Sequence, residues 1–113
     1  MEDCLFCKII KGEIPSSKVY EDEFVYAFND INPQAPVHVL IIPKSHIKSA
    51  ADITAENSAL VAHIFEAAAK IAAQLNLKDG FRIVTNSGEF GCQSVHHLHF
   101  HLLSGKQLSE RMS

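Results

Sequence analysis

An α+β fold is predicted by three observations. A 3.6-residue apolar pattern runs through "TAENSALVAHIFEAAAKIAAQLNL", residues 54–77. Five shorter β-rich runs flank it, three before and two after. The first three are joined by connections too short for a crossover helix, so they should pair antiparallel, with the long helix packed on the sheet.

Each element has its own justification. "CLFCKIIKGEIP" places Leu5 with Ile9 and Phe6 with Ile10 one helical turn apart and then meets Gly12 and Pro15, which predicts a short N-terminal helix. "SKVYEDE" and "FVYAFND" read as two strands around a turn at 21–23, and "APVHVLIIPK" as a third, ended by Pro43. Thr54 is the candidate N-cap of the long helix. Leu60, Val61, Ile64, Phe65, Ala68, Ile71, Ala72 and Leu75 share one face, with Glu66 and Lys70 opposite at i, i+4. "GFRIVTN" is a fourth strand, "SGEFG" a glycine-bearing loop, and "SVHHLHFHLL" a fifth strand that alternates with period two.

The 113 residues, 47% of them hydrophobic, suit one compact domain spanning 1–113. A formal charge of -3 and no run of basic residues argue against a nucleic-acid polymer or an anionic membrane as partner. The acidic start and the interruption of the first apolar run by Lys8 fit neither a signal peptide nor a span, so a cytoplasmic location is expected. No repeat or Pro/Gly/Ser-rich linker divides the chain.

Four of the seven histidines fall within residues 96–101. If 95–103 is extended, Leu98, Phe100 and Leu102 face the core while His97, His99 and His101 line a cleft, and His96 falls on the core side at a strand edge. A solvated His-rich face, a metal site and an imidazole nucleophile acting on phosphate all fit this row. Chemistry favours the last, because imidazole is mostly neutral at pH 7 and close like-charged neighbours keep it so. One imidazole can then attack while another donates protons. The Cys4-x-x-Cys7 pair admits a redox motif, a zinc site completed by distant ligands, or free thiols. The redox reading lacks the strand that should precede it.

The run His97-Leu98-His99-Phe100-His101-Leu102-Leu103 resembles the signature of the histidine triad proteins, and "GCQSVHHLHFHLL" their nucleotide-binding branch related to purine nucleoside phosphoramidases. "FNDINPQAPVHVLIIPKSHI" and "CLFCKIIKGEIPSSKVYEDE" extend the resemblance over essentially the whole chain. The resemblance implies the family's α+β fold and a homodimer with the long helices at the interface. It also implies hydrolysis of purine nucleoside 5'-phosphoramidates through a nucleotidyl-histidine intermediate. Dinucleoside polyphosphate hydrolysis, or a nucleotide-binding adaptor with incidental activity, are the alternatives.

Roles carry over on the same basis. His99 would be the nucleophile, flanked by His97 and by His101, which contacts phosphate; Ser94 would hydrogen-bond the leaving nitrogen or the α-phosphate, and His38 would support the triad. Asp30 would take the ribose hydroxyls, Ile31 would pack on the base, and Asn86 with the backbone at Cys92 and Gln93 would contact phosphate. In zinc-bearing members the Cys pair is completed by a histidine after the third strand and by the first of the triad, which implies a structural Zn²⁺ on Cys4, Cys7, His46 and His97. The sequence departs from close relatives at Cys92, often glycine, at His96, often aromatic, and in a tail without tryptophan.

Overall fold

The computed structural model describes residues 4–111. Its elements are α1 (Leu5–Ile10), β1 (Lys18–Glu21), β2 (Val25–Asn29), β3 (Val37–Pro43), a 3-10 turn at Ala50–Asp52, α2 (Ser58–Gln74), β4 (Arg82–Val84) and β5 (Phe100–Ser104). The five strands form one sheet in the order β1-β2-β3-β5-β4, with every neighbouring pair antiparallel. The predicted α+β class is what the chain adopts.

Strand parity divides the interior into two layers. Val25 and Ala27 of β2, Val39 and Ile41 of β3, and Phe100 and Leu102 of β5 face α2, meeting Ile64, Ala67, Ala68 and Ile71. The alternate residues Tyr26, Phe28, Leu40 and Ile42 face the other way and are covered by Phe6 and Ile9 of α1. Each fully buried Leu or Ile contributes about 1.5–3 kcal/mol, so the sheet is held from both sides. His38 and His101 fall on the α1 side because they alternate with Val39 and Leu102.

Three sequence expectations shift. The long helix starts at Ser58, because the Thr54 hydroxyl accepts the Glu56 amide in a separate turn and Asn57 is the N-cap residue. Its end matches the sequence closely: Asn76 takes a left-handed φ of 59°, while the Asn76 and Leu77 amides donate back to Ala73 and Ala72. Phe65 and Leu75, assigned to the packed face, are 48% and 40% exposed.

The fifth strand begins at Phe100, five residues later than expected. Residues 95–99 find no ladder partner, since β3 reaches β5 only as far as Ile41 opposite Phe100 and β4 ends at Val84 opposite His101. This off-sheet stretch is tied instead by the Leu98 amide to the Ile47 carbonyl, 2.6 Å, and His96 in it is exposed rather than on the core side. Among the described residues no helix is long and apolar enough to cross a membrane.

Candidate active site and metal centre

The N-terminal helix brings two thiols to the sheet end. Cys4 is the N-cap residue of α1, its Sγ accepting the Cys7 amide at 3.2 Å. Cys4 Sγ lies 3.4 Å from His46 Nδ1 and 3.2 Å from His97 Nδ1, Cys7 Sγ lies 3.5 Å from each, and the two Nδ1 atoms are 3.2 Å apart. A tetrahedral zinc with ligand bonds of about 2.0–2.3 Å requires edges of roughly 3.3–3.8 Å, at the short end of which these contacts fall. His97 Nε2 faces the Pro43 carbonyl at 2.9 Å, and a carbonyl only accepts, so that nitrogen carries the proton and Nδ1 presents a lone pair to the quartet. Burial first, and the adjacent Cys4 next, push the Cys7 thiol up to about 11, so a thiolate pair here needs a positive partner. The donor set fits Zn²⁺.

The same reasoning orders the other imidazoles. His99 Nδ1 is 2.7 Å from the His97 carbonyl, to which it donates, leaving Nε2 as its basic atom. The His99 carbonyl accepts the Thr85 hydroxyl at 2.8 Å, and Phe6 sets its ring edge against the imidazole with centroids 5.1 Å apart. His38 Nδ1 accepts the Gln34 amide at 3.0 Å, so the proton of neutral His38 sits on Nε2. That Nε2–H donates to His101 Nδ1 at 2.9 Å, which puts the His101 proton on Nε2. Asp30 Oδ2, 3.4 Å from His38 Nε2, is a second acceptor for the same proton.

Burial holds these tautomers neutral. Desolvation is the largest cause lowering His38, His97, His99 and His101, and for His101 it combines with His99 and His38 to bring the value to about 4. Their rings lie together, His99 against His101 and His38 against His101 with centroids 5.1 Å apart in each case. The result is an uncharged imidazole base beside an uncharged imidazole donor. His97 is fully buried, and its ring belongs to the Cys4, Cys7, His46 cluster rather than to an open cleft.

Beside His101, a groove of about 440 Å³ brings His38, Asn86 and His101 together with Gln34, Arg82 and Lys106, while His99 is buried and does not line it. Ile31 stands 91% exposed beside Asp30, whose carboxylate caps the Asn32 amide at 2.8 Å and keeps a second oxygen toward His38. In the loop before the triad, Ser94 is exposed and its hydroxyl bonds to nothing among the described residues. The Cys92 and Gln93 amides donate to the Glu89 and Gly88 carbonyls, both at 3.0 Å, so they are engaged within the loop. Sequence reasoning missed the Phe6 contact, the Gln34 amide that sets the His38 tautomer, and the side chain of Gln93. Only Phe6 left a signal, as an aromatic beside the Cys pair.

A family model described as Scavenger mRNA decapping enzyme C-term binding matches residues 3–113. The structure superposes on a histidine triad protein from Clostridium difficile with a TM-score of 0.96 at 49% identity, covering 98% of this chain and 97% of that one. A HIT family hydrolase from Clostridium thermocellum gives the same TM-score at 48% identity, covering 100% and 99%. The chain therefore belongs to the histidine triad superfamily. It is 44% identical over 113 residues to the purine nucleoside phosphoramidase of Escherichia coli K12, covering 99% of this chain and 95% of that protein. It is 50% identical over 107 residues to a 14 kDa zinc-binding protein of Zea mays, covering 93% and 84%. These likenesses support hydrolase chemistry on a nucleotide and a metal-binding Cys/His site.

Proposed function

We propose that the protein hydrolyses purine nucleoside 5'-phosphoramidates, releasing an amine and a nucleoside monophosphate. The observation that carries the reading is the pair of opposed tautomers, His99 with a free Nε2 lone pair beside His101 with an Nε2–H. The likeness to the Escherichia coli phosphoramidase supports the choice of bond.

In this reaction His99 Nε2 attacks the α-phosphorus, a P–N(histidine) bond forms and the P–N(amine) bond breaks. The His101 Nε2–H donates to a phosphate oxygen on which charge gathers. The amine leaves with its electron pair and takes one proton, which the exposed Ser94 hydroxyl relays from solvent water, because an unprotonated amine is a poor leaving group. Water then attacks the nucleotidyl-histidine, returns a proton to the network and restores His99. His38 keeps the His101 tautomer in place, Asp30 takes the vicinal ribose hydroxyls with its two oxygens, Ile31 offers an apolar surface to the base, and Asn86 contacts phosphate.

Cys4, Cys7, His46 and His97 would hold one structural Zn²⁺, which ties α1 to the segment carrying the triad and neutralises the thiolates. The exposed Phe65 on α2 and Leu75 at its C-cap suit contact between two copies of the chain, which sedimentation at a range of concentrations checks. The reaction itself is tested by incubating the protein and His99→Ala with adenosine 5'-phosphoramidate and with a diadenosine polyphosphate. Turnover of the phosphoramidate by wild type, with a loss of several orders of magnitude in the variant, is expected. Equal slow hydrolysis by both proteins would overturn the proposal, and preference for the polyphosphate would replace it.

A further inference from the structure

The Gln93 carboxamide makes three hydrogen bonds inside the protein and uses both of its N–H donors. Its oxygen accepts the Gly88 amide at 3.0 Å, and its nitrogen donates to the Lys48 carbonyl at 2.7 Å and the Val95 carbonyl at 2.9 Å. With its backbone amide on the Gly88 carbonyl as well, every N–H of Gln93 is engaged within the protein.

These bonds close the loop 87–95 on itself and fasten it to the segment 46–49. A second link runs between the Ser87 and Ser49 hydroxyls at 3.1 Å, with Ser49 buried and also bonded to Asp52. The closure is tight: a Cβ on Gly91 would stand 2.5 Å from the Ser87 carbonyl oxygen. Cys92 holds a left-handed φ of 63° within it, a conformation that costs a non-glycine residue about 1–2 kcal/mol and so needs the surrounding bonds to persist. Ser94, one residue beyond Gln93, has no such anchor of its own.

We infer that Gln93 is a positioning residue that clasps the phosphate-side loop to the 46–49 segment and so sets Ser94 relative to His99. This goes beyond the proposed reaction and rests on it for its consequence in turnover. A displacement of about 1 Å at a reacting group can lower the rate about a hundredfold, so loss of the clasp falls on kcat. Groups on the nucleoside side, Asp30 and Ile31, lie outside the loop and keep their placement.

The test uses the full chain, with Gln93→Ala and Gln93→Glu. Backbone amide exchange is followed by NMR, and kinetics are measured with adenosine 5'-phosphoramidate, with adenosine as a competitor. In Gln93→Ala, which removes the acceptor of the Gly88 amide, the Gly88 and Gln93 amides should exchange at least about tenfold faster while those of β2 and β3 do not change. The kcat should fall about ten- to a hundredfold with the adenosine inhibition constant within about twofold of wild type. The Glu variant discriminates, because it fills the same volume but sets a carboxylate against the Lys48 and Val95 carbonyls. A space-filling role would leave it near wild type, whereas the clasp requires it to be at least as impaired as Ala. Unchanged exchange at Gly88 in Gln93→Ala, wild-type kcat in Gln93→Ala, or recovery in Gln93→Glu would each overturn the inference. Wild-type protein that does not turn over the phosphoramidate would sink the proposed reaction, while the exchange comparison would still decide the clasp.

Discussion

Acidification should destabilise the protein through His101 in a way that a single substitution removes. Burial, then His99 and His38, bring this imidazole from 6.5 to about 4, with Asp30 opposing. The folded value is the lower one, so as pH falls below 6.5 the unfolded chain takes up the proton first. The neutral-imidazole contribution is therefore complete above pH 6.5, falls through the window down to about 4, and is gone below it. The gap corresponds to about 3 kcal/mol, and water at the partly exposed ring trims this toward about 2 kcal/mol. Within the window the slope from this one group is about 1.2 kcal/mol per pH unit.

The variant that isolates it is His101→Gln. A glutamine carbonyl can still accept the His38 Nε2–H that His101 Nδ1 accepts at 2.9 Å, so the partner is not stranded. Urea unfolding of both proteins at half-unit steps from pH 7 to pH 4 gives two stability curves. Loss of metal is common to both and cancels in the difference, which then reports His101 together with its coupling to His99 and His38. Wild type should fall more steeply by about 1 kcal/mol per pH unit between roughly 6 and 4.5. Parallel curves would refute the assignment of His101 as a buried neutral imidazole, and with it the argument that the site is uncharged at neutral pH.

Further outcomes follow from the packing and the loop. Leu98→Ala, at 1% exposure in the layer facing α2, should lower the unfolding free energy by about 2–5 kcal/mol in urea melts. Cys92→Gly should be neutral to about 1 kcal/mol stabilising, whereas Cys92→Val at the same φ of 63° should cost more than about 1 kcal/mol. Protein prepared without chelator should carry one zinc per chain by elemental analysis, and Cys4→Ser should lower that content. Chelation should lower the melting temperature, with amide exchange rising first at Leu98, whose donor bond ends on Ile47 beside His46. A melting temperature indifferent to chelation would count against a structural metal.

Much of this was legible because strand parity is a rigid rule. Leu98, Phe100 and Leu102 do face α2, and His101 does face the other side, as alternation requires. The rule failed where pairing stopped: residues 95–99 continue the alternating pattern in sequence but have no partner strand to hold them. His97 is therefore enclosed with the cysteines, and His96 turns outward. The metal quartet was visible only through the resemblance, since local spacing identifies Cys4 and Cys7 and says nothing of His46. Gln93 left no sequence signal at all, because its partners are carbonyls and an amide, which every residue carries.

What joins the two centres is backbone rather than side chain. The carbonyl of His97 accepts the His99 Nδ1–H, so the residue whose ring meets the thiols also determines which nitrogen of His99 is basic. A carbonyl can do this only if it cannot rotate, and His97 is held at both ring nitrogens, by the Pro43 carbonyl on one side and by the Cys4 and Cys7 sulfurs on the other. Leu98 between them is fastened to Ile47 and Gln93 to Lys48, so the segment following β3 receives bonds from the triad and from the loop before it. A metal bound at His46 would therefore stiffen the stretch against which His99, the proposed nucleophile, and its loop are both set. On this geometry a zinc held there would stand outside the proposed chemistry and still govern how well His99 is aimed.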